Sequence, residues 1–313
     1  MEKLIVSSSP HIHSKHTTQN IMRDVLIALA PATVAAVVLF GLKALALILV
    51  CVACAVLSEL LFNLICKKTQ TISDLSAAVT GLILALCLPA STALWQCALG
   101  SVFAIVVVKC LFGGIGCNFA NPAATARVFL LIAFSSSVAG GTATVFASPD
   151  LVASATPLAA IKSGSTAALP SLLDMFLGNR MGAIGETCAL ALILGGIYLI
   201  ARKIIHWHIP VIYIGTVFLL SLAIKQDITL ALYEILGGGL IIAAFFMITD
   251  YVSTPINEGG KMVFAFGCGI ITVLIRFWGA YPEGVSFAIL LMNIVSPYIE
   301  RMCARKPFGK VGK

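Results

Sequence analysis

"MRDVLIALAPATVAAVVLFGLKALALILVCVACAVLSELLFNLI", Met22 to Ile65, decides how the rest of the chain is read. It holds two apolar runs, 22–40 and 44–65, set back to back across Gly41-Leu42-Lys43. Each is about the 20 residues that a helix needs to cross a bilayer core. Runs of similar character recur to the end of the chain, at 74–90, 94–112, 122–138, 184–201, 209–224, 229–248, 262–279 and 284–300. Hydrophobic residues make up 60% of the 313, charged residues 11%, and the mean hydropathy is +1.05. Soluble domains carry about 25% charge. The expected fold is therefore an all-α polytopic membrane protein of ten transmembrane helices. The polar start, "MEKLIVSSSPHIHSKHTTQNIMRD", has no short apolar core before a small-residue cleavage site, so no cleavable signal peptide is expected.

An even number of spans puts both termini on one side. With the termini cytoplasmic, fifteen Lys and Arg lie on the inner side: Lys3, Lys15, Arg23, Lys67, Lys68, Lys109, Arg127, Arg202, Lys203, Lys261, Arg301, Arg305, Lys306, Lys310 and Lys313. Five lie outside: Lys43, Lys162, Arg180, Lys225 and Arg276. That asymmetry follows the positive-inside rule and fixes the expected orientation. The net charge of +7 then reflects the side on which bases lie and does not call for nucleic acid. The chain divides into a cytoplasmic segment 1–21, a five-helix half 22–138, an extracytoplasmic loop 139–183, a second half 184–300 and a basic tail 301–313. Five is odd, so two such halves run in opposite senses, as in inverted repeats.

The ten cysteines form no disulfide framework: most fall within spans, and the long outer loop has none. Cys51-x-x-Cys54 lies in mid-helix without a second pair and reads as small apolar filler. His11, His13, His206 and His208 make two His-x-His pairs without acidic or cysteine ligands beside them, and read as interfacial histidines. Ser73-Asp74 and Asn121-Pro122 carry cap chemistry before the third and fifth helices. Glu283 complements the dipole of the last helix. Glu59, Glu186 and Glu234 are acids within spans, where a charge is costly and marks a function by default.

Six stretches then carry a resemblance over nearly the whole chain: "SSPHIHSKHTTQNIM" near the start, "DLSAAVTGLILALCLP" at 74–89, "GGIGCNFANPAATARVFL" at 113–130, "SATPL" at 154–158, "TDYVSTP" at 249–255 and "GAYPEGVSFAILLMN" at 279–293. Together they resemble the membrane flavoprotein family that contains the D subunit of the Rnf complex and the B subunit of the sodium-translocating NADH:quinone reductase. The compact length favours the Rnf D type.

The resemblance implies a fold similar to ammonium and urea channels, in a prokaryotic cell membrane. It implies FMN carried as a phosphoester on Thr156, within an attachment motif of Asp150, Ser154, Ala155, Thr156, Pro157 and Leu158, and attached by a flavin transferase. Ala153 departs from the motif, which has a hydroxyl residue there. It implies the other Rnf subunits as partners, an outer-side flavoprotein especially, and an electron-carrier role within ferredoxin:NAD oxidoreduction coupled to Na+ or H+ movement. A second, non-covalent flavin, riboflavin in the related B subunit, is expected near Asn118 and Asn121, where glycines 113, 114 and 116 let a ring approach backbone and amides can donate and accept. Glu59, Glu186 and Glu234 become ion-pathway candidates. The alternative is a small-solute channel or transporter of the same fold, distinguished by having no covalent chromophore.

Overall fold

The computed structural model describes residues 17–145, 156–164 and 169–304. Among these the regular structure is helical: α1 (Thr18–Phe40), α2 (Leu42–Ile65), α3 (Ser76–Leu86), α4 (Leu94–Cys110), α5 (Pro122–Ala133), α6 (Ser135–Val138), α7 (Pro157–Lys162), α8 (Leu172–Leu177), α9 (Ala189–Ala201), α10 (His208–Lys225), α11 (Ile228–Leu236), α12 (Leu240–Met247), α13 (Glu258–Trp278) and α14 (Val285–Met302). Every apolar run read from the sequence contains a helix. Their lengths differ from the expectation of ten uniform spans. α1, α2, α10, α13 and α14 are long and apolar enough to cross a bilayer, whereas α3, α4, α5 and α9 are shorter. α11 and α12 form one broken unit, bent by 64°.

The breaks have local causes. Gly237-Gly238-Gly239 separates α11 from α12, and Gly238 takes the left-handed φ of 63° that side chains disfavour. The expected helix at 184–201 begins only at Ala189. Before it the chain turns: the Ile184 N–H donates to the Leu88 carbonyl (3.0 Å), the Gly185 N–H to that of Leu86 (2.8 Å) and the Glu186 N–H to that of Ala183 (3.2 Å). That pairing also ends α3 early. The expected Ser73-Asp74 cap is not used, because Asp74 closes a tight turn and Leu75, at φ 59°, precedes α3 without a side-chain cap. Asn121 does cap α5, its Oδ1 accepting from the N–H groups of Ala123 and Ala124 at 3.1 Å each.

Polarity is arranged inside out. Large apolar side chains face outward, with Leu42 80%, Val34 63% and Leu219 65% exposed, while Arg180, Arg276, Lys109 and Glu59 are buried. A soluble protein would pay heavily for that arrangement; a lipid-facing bundle requires it. α2 packs on α3 and α4, α10 packs on α11 and α13, and α1 packs on α9 between them. The α1–α9 contact depends on Gly195, where a Cβ would lie 2.1 Å from the Ala28 carbonyl oxygen. Asp24 of α1 and Arg202 at the end of α9 pair at 3.1 Å. That pair marks one end of the bundle, here called the α1-start end; Thr156 lies at the other.

Candidate functional site

Thr156 sits at the N-terminus of α7. Its Oγ1 accepts from the Ala159 N–H at 3.4 Å, and Pro157 follows at the first helical position, where a missing N–H costs nothing. Pro157 and Leu158 are buried and Thr156 is half-buried. Leu158 seats against the α11–α12 break, 2.8 Å from where a Gly237 Cβ would be. The methyl of Thr156 fills the space over Gly141, whose Cβ would come within 2.7 Å of it. Lys162, at the far end of α7, donates to the carbonyls of Gly279 and Tyr281. Short as it is, α7 is thus pinned at both ends. Of the rest of the attachment motif, Asp150, Ser154 and Ala155 lie outside the described residues.

Beside α7 three arginines and three glutamates form a network that joins the chain breaks. Arg127 reaches Glu186 Oε1 at 2.9 Å and also binds Glu283. Arg276 pairs with Glu234 Oε2 at 3.1 Å and donates to the carbonyls of Glu283 (2.9 Å) and Gly237 (3.2 Å). Arg180 Nη2 donates to the carbonyls of Glu186 and Leu236 at 2.7 Å each. The charges balance, as burial in a bundle demands.

Several sequence expectations change here. The charge tally counts Arg127 among the inner-side bases and Arg180 and Arg276 among the outer-side ones, but all three are buried partners of acids or carbonyls. Glu186 lies in the turn before α9 rather than in a helix. Glu283, directly before the N-cap Gly284 of α14, also binds Arg127, a partner 156 positions away that the helix-dipole reading does not include.

The third intraspan acid, Glu59, belongs to a separate cluster toward the α1-start end. Lys109 Nζ donates to Glu59 Oε1 (2.8 Å) and Ser76 Oγ (2.7 Å), and Thr71 Oγ1 donates to the same Glu59 oxygen (2.7 Å). Lys109, also expected at a helix end, is 2% exposed. Lys109 and Ser76 border a cleft that also meets Asn118, Asn121, Asp250 and Tyr251. The cleft as it stands holds about 110 Å³. Its walls include the second half of α4, Phe103–Cys110, and of α12, Ala243–Met247, both wound as π-helix, a form that recurs at functional sites. Asn118 Nδ2 donates to the Ala120 carbonyl (3.1 Å), and Asn121 Nδ2 to that of Met247 (3.4 Å). Both asparagines therefore shape the turn as well as line the cleft. Asp250, in the turn after α12, accepts from Ser253 Oγ at 2.9 Å; burial nonetheless raises its carboxyl above the usual range.

The residues suit flavins chemically at both places. At Thr156 a hydroxyl oxygen is held at the bundle's edge, and it keeps its acceptor role toward Ala159 when esterified. At the cleft, amides, an ammonium and a carboxylate face aliphatic and aromatic walls. A tricyclic ring needs more room than the cleft offers as it stands; Ile21 and Met22 on its wall are part-exposed, whereas the Tyr251 hydroxyl is tied to the Ile204 carbonyl.

Residues 5–309 match the model of the NQR2, RnfD, RnfE family. The chain is 47% identical to the D subunit of the Na(+)-translocating ferredoxin:NAD(+) oxidoreductase complex of Acetobacterium woodii, over 98% of this chain and 95% of that one. It is 39% identical to the D subunit of the proton-translocating ferredoxin:NAD(+) oxidoreductase complex of Clostridium ljungdahlii, over 97% and 96%. To the D subunit of the ion-translocating oxidoreductase complex of Stutzerimonas stutzeri it is 37% identical, over 95% and 93%.

Proposed function

The chain belongs to the NQR2, RnfD, RnfE family, and from that premise we propose that it is the D-type subunit of a redox-driven ion pump in a prokaryotic cell membrane, carrying electrons through FMN bound covalently to Thr156. The relatives' names, one sodium-translocating and one proton-translocating, support a pump subunit and leave the ion open. The observation that carries the flavin reading is the setting of Thr156: a half-buried hydroxyl on a short helix fixed by Leu158 and Lys162. The bound group supplies the electron chemistry. Thr156 supplies the ester oxygen, Gly141 the space beside it, and α7 a fixed direction.

A flavin transferase is needed for attachment, and an outer-side flavoprotein subunit of the complex for electron delivery. A bilayer core of about 30 Å is long for a single electron hop. The cleft of Asn118 and Asn121 therefore serves as a second station, holding riboflavin non-covalently. A cation crossing this subunit at Glu59, Glu186 or Glu234 must displace Lys109, Arg127 or Arg276, which is the form the ion pathway takes here.

The test is coexpression with a flavin transferase. The denatured protein is expected to fluoresce in a gel under ultraviolet light and Thr156→Ala to be dark; a fluorescent Thr156→Ala band overturns the assignment. Acid precipitation of the purified complex should release riboflavin, less of it from Asn118→Leu. A supernatant free of flavin overturns the second station.

A further inference from the structure

The cleft has one basic wall residue whose placement is costly. Lys109 is 2% exposed and Glu59 equally hidden. Burying an ion pair in a bundle strips water from both ions before their mutual attraction is counted, and apolar side chains would pack there at least as well. The pair is also asymmetrically held. Glu59 Oε1 accepts from both Lys109 and Thr71, with Asn63 Nδ2 behind Thr71 at 3.1 Å. Glu59 Oε2 is buried with no hydrogen-bond partner among the described residues. Lys109 has its second bond to Ser76 Oγ, itself on the cleft wall. The cation thus borders the cavity, whereas Glu59 is no part of the lining. The other charged lining residue, Asp250, is already engaged with Ser253.

We propose that Lys109 sets the redox potential of the ring that occupies this cleft, with Glu59 as the counter-charge that moderates it. The proposal rests on the second-flavin reading above. An electron arriving from the Thr156-linked flavin, which loses one as the cleft ring gains one, adds negative charge to a low-dielectric site. The Lys109 ammonium stabilises the reduced ring by attraction, and Glu59 opposes it from behind. The two halves of one ion pair therefore push the potential in opposite directions. A purely structural pair gives no such sign difference.

The experiment is a redox titration of the assembled complex, following the releasable riboflavin and taking the FMN on Thr156 as internal reference. Lys109→Met should make reduction of the riboflavin at least tenfold less favourable, a downward shift of about 59 mV for one electron. Glu59→Gln should shift it upward, and Lys109→Arg should hold it near the native value. The FMN potential should not move. Riboflavin released in native amount with an unchanged potential in Lys109→Met, or shifts of the same sign in Lys109→Met and Glu59→Gln, overturns the charge assignment while leaving the station in place. If Lys109→Met fails to assemble, the upward shift in Glu59→Gln and the constancy in Lys109→Arg decide the matter by themselves. Absence of releasable riboflavin from the native complex overturns the station and this proposal together.

Discussion

Two side chains at the Thr156 end turn local geometry into measurable differences. Gly141 touches Thr156 so closely that a Cβ would sit 2.7 Å from its methyl and 2.8 Å from the Gly182 nitrogen, while a Cβ at neighbouring Gly140 meets nothing within 4 Å. Gly141→Ala must therefore push Thr156 or the 182 backbone aside. In-gel flavin fluorescence should fall several-fold in Gly141→Ala and stay native in Gly140→Ala; equal labelling of the two variants would remove Gly141 from the site. Arg276 and Glu234 give a second contrast. Arg276→Met strands a buried carboxylate and frees the carbonyls of Gly237 and Glu283, a loss of about 3–5 kcal/mol. Glu234→Gln leaves Arg276 its carbonyl partners, so about 1–3 kcal/mol is expected. Thermal unfolding of the purified protein in detergent should rank the glutamine variant well above the methionine one.

At the scale of helices, close backbone approach does work that hydrophobicity cannot do in lipid, where tails are as apolar as leucine. Gly195 lets α9 lie on α1, and an alanine there meets the Ala28 carbonyl at 2.1 Å. Overpacking of that kind costs about 1–3 kcal/mol. Gly215 in α10 has nothing within 4 Å of its absent Cβ, so Gly215→Ala should instead stabilise by up to about 1 kcal/mol. Opposite shifts in melting temperature are the expected outcome, and a destabilised Gly215→Ala would argue for an unseen contact on that face. The same scale separates what the chain announces from what it conceals. Apolar run length locates each main helix, and the Asn121-Pro122 pair marks the start of α5, because both signals are local. The start of α9 falls five residues later than run length places it, because 184–186 is a turn tied to the carbonyls of Leu86 and Leu88, about a hundred residues away, and no local pattern announces that pairing. The network of Arg127, Arg180 and Arg276 is hidden for the same reason. Arg127 and Glu283 lie 156 positions apart, and no periodicity links them. The legible hint is that Lys109, Arg127 and Arg276 fall inside apolar runs and Glu59, Glu186 and Glu234 do too, so charges of both signs are placed where pairing is required.

Taking the four buried bases, Lys109, Arg127, Arg180 and Arg276, out of the surface tally sharpens the argument for how the whole molecule sits in its membrane. Buried and partnered charges say nothing about sidedness, so the count of fifteen against five becomes thirteen against three, with Lys43, Lys162 and Lys225 left at the Thr156 end. Loop bases near span ends are the ones the positive-inside rule weighs, and the corrected ratio favours a cytoplasmic α1-start end more strongly than the raw one. The chain carries its own reporters for the test. Cys66, just after α2, and Cys117, between α4 and α5, are exposed free thiols that both lie at the α1-start end, whereas Ser163 at the end of α7 is exposed at the other. A membrane-impermeant maleimide added to intact cells should leave the native protein unlabelled and label Ser163→Cys. After permeabilisation the native protein should react as well, at Cys66 and Cys117 by peptide mass mapping. Labelling of native Cys66 or Cys117 in intact cells, together with a silent Ser163→Cys, would invert the molecule. It would put Thr156, and the flavin proposed on it, on the cytoplasmic face and the Lys109 cleft outside, and electrons would then have to enter from the opposite side of the membrane.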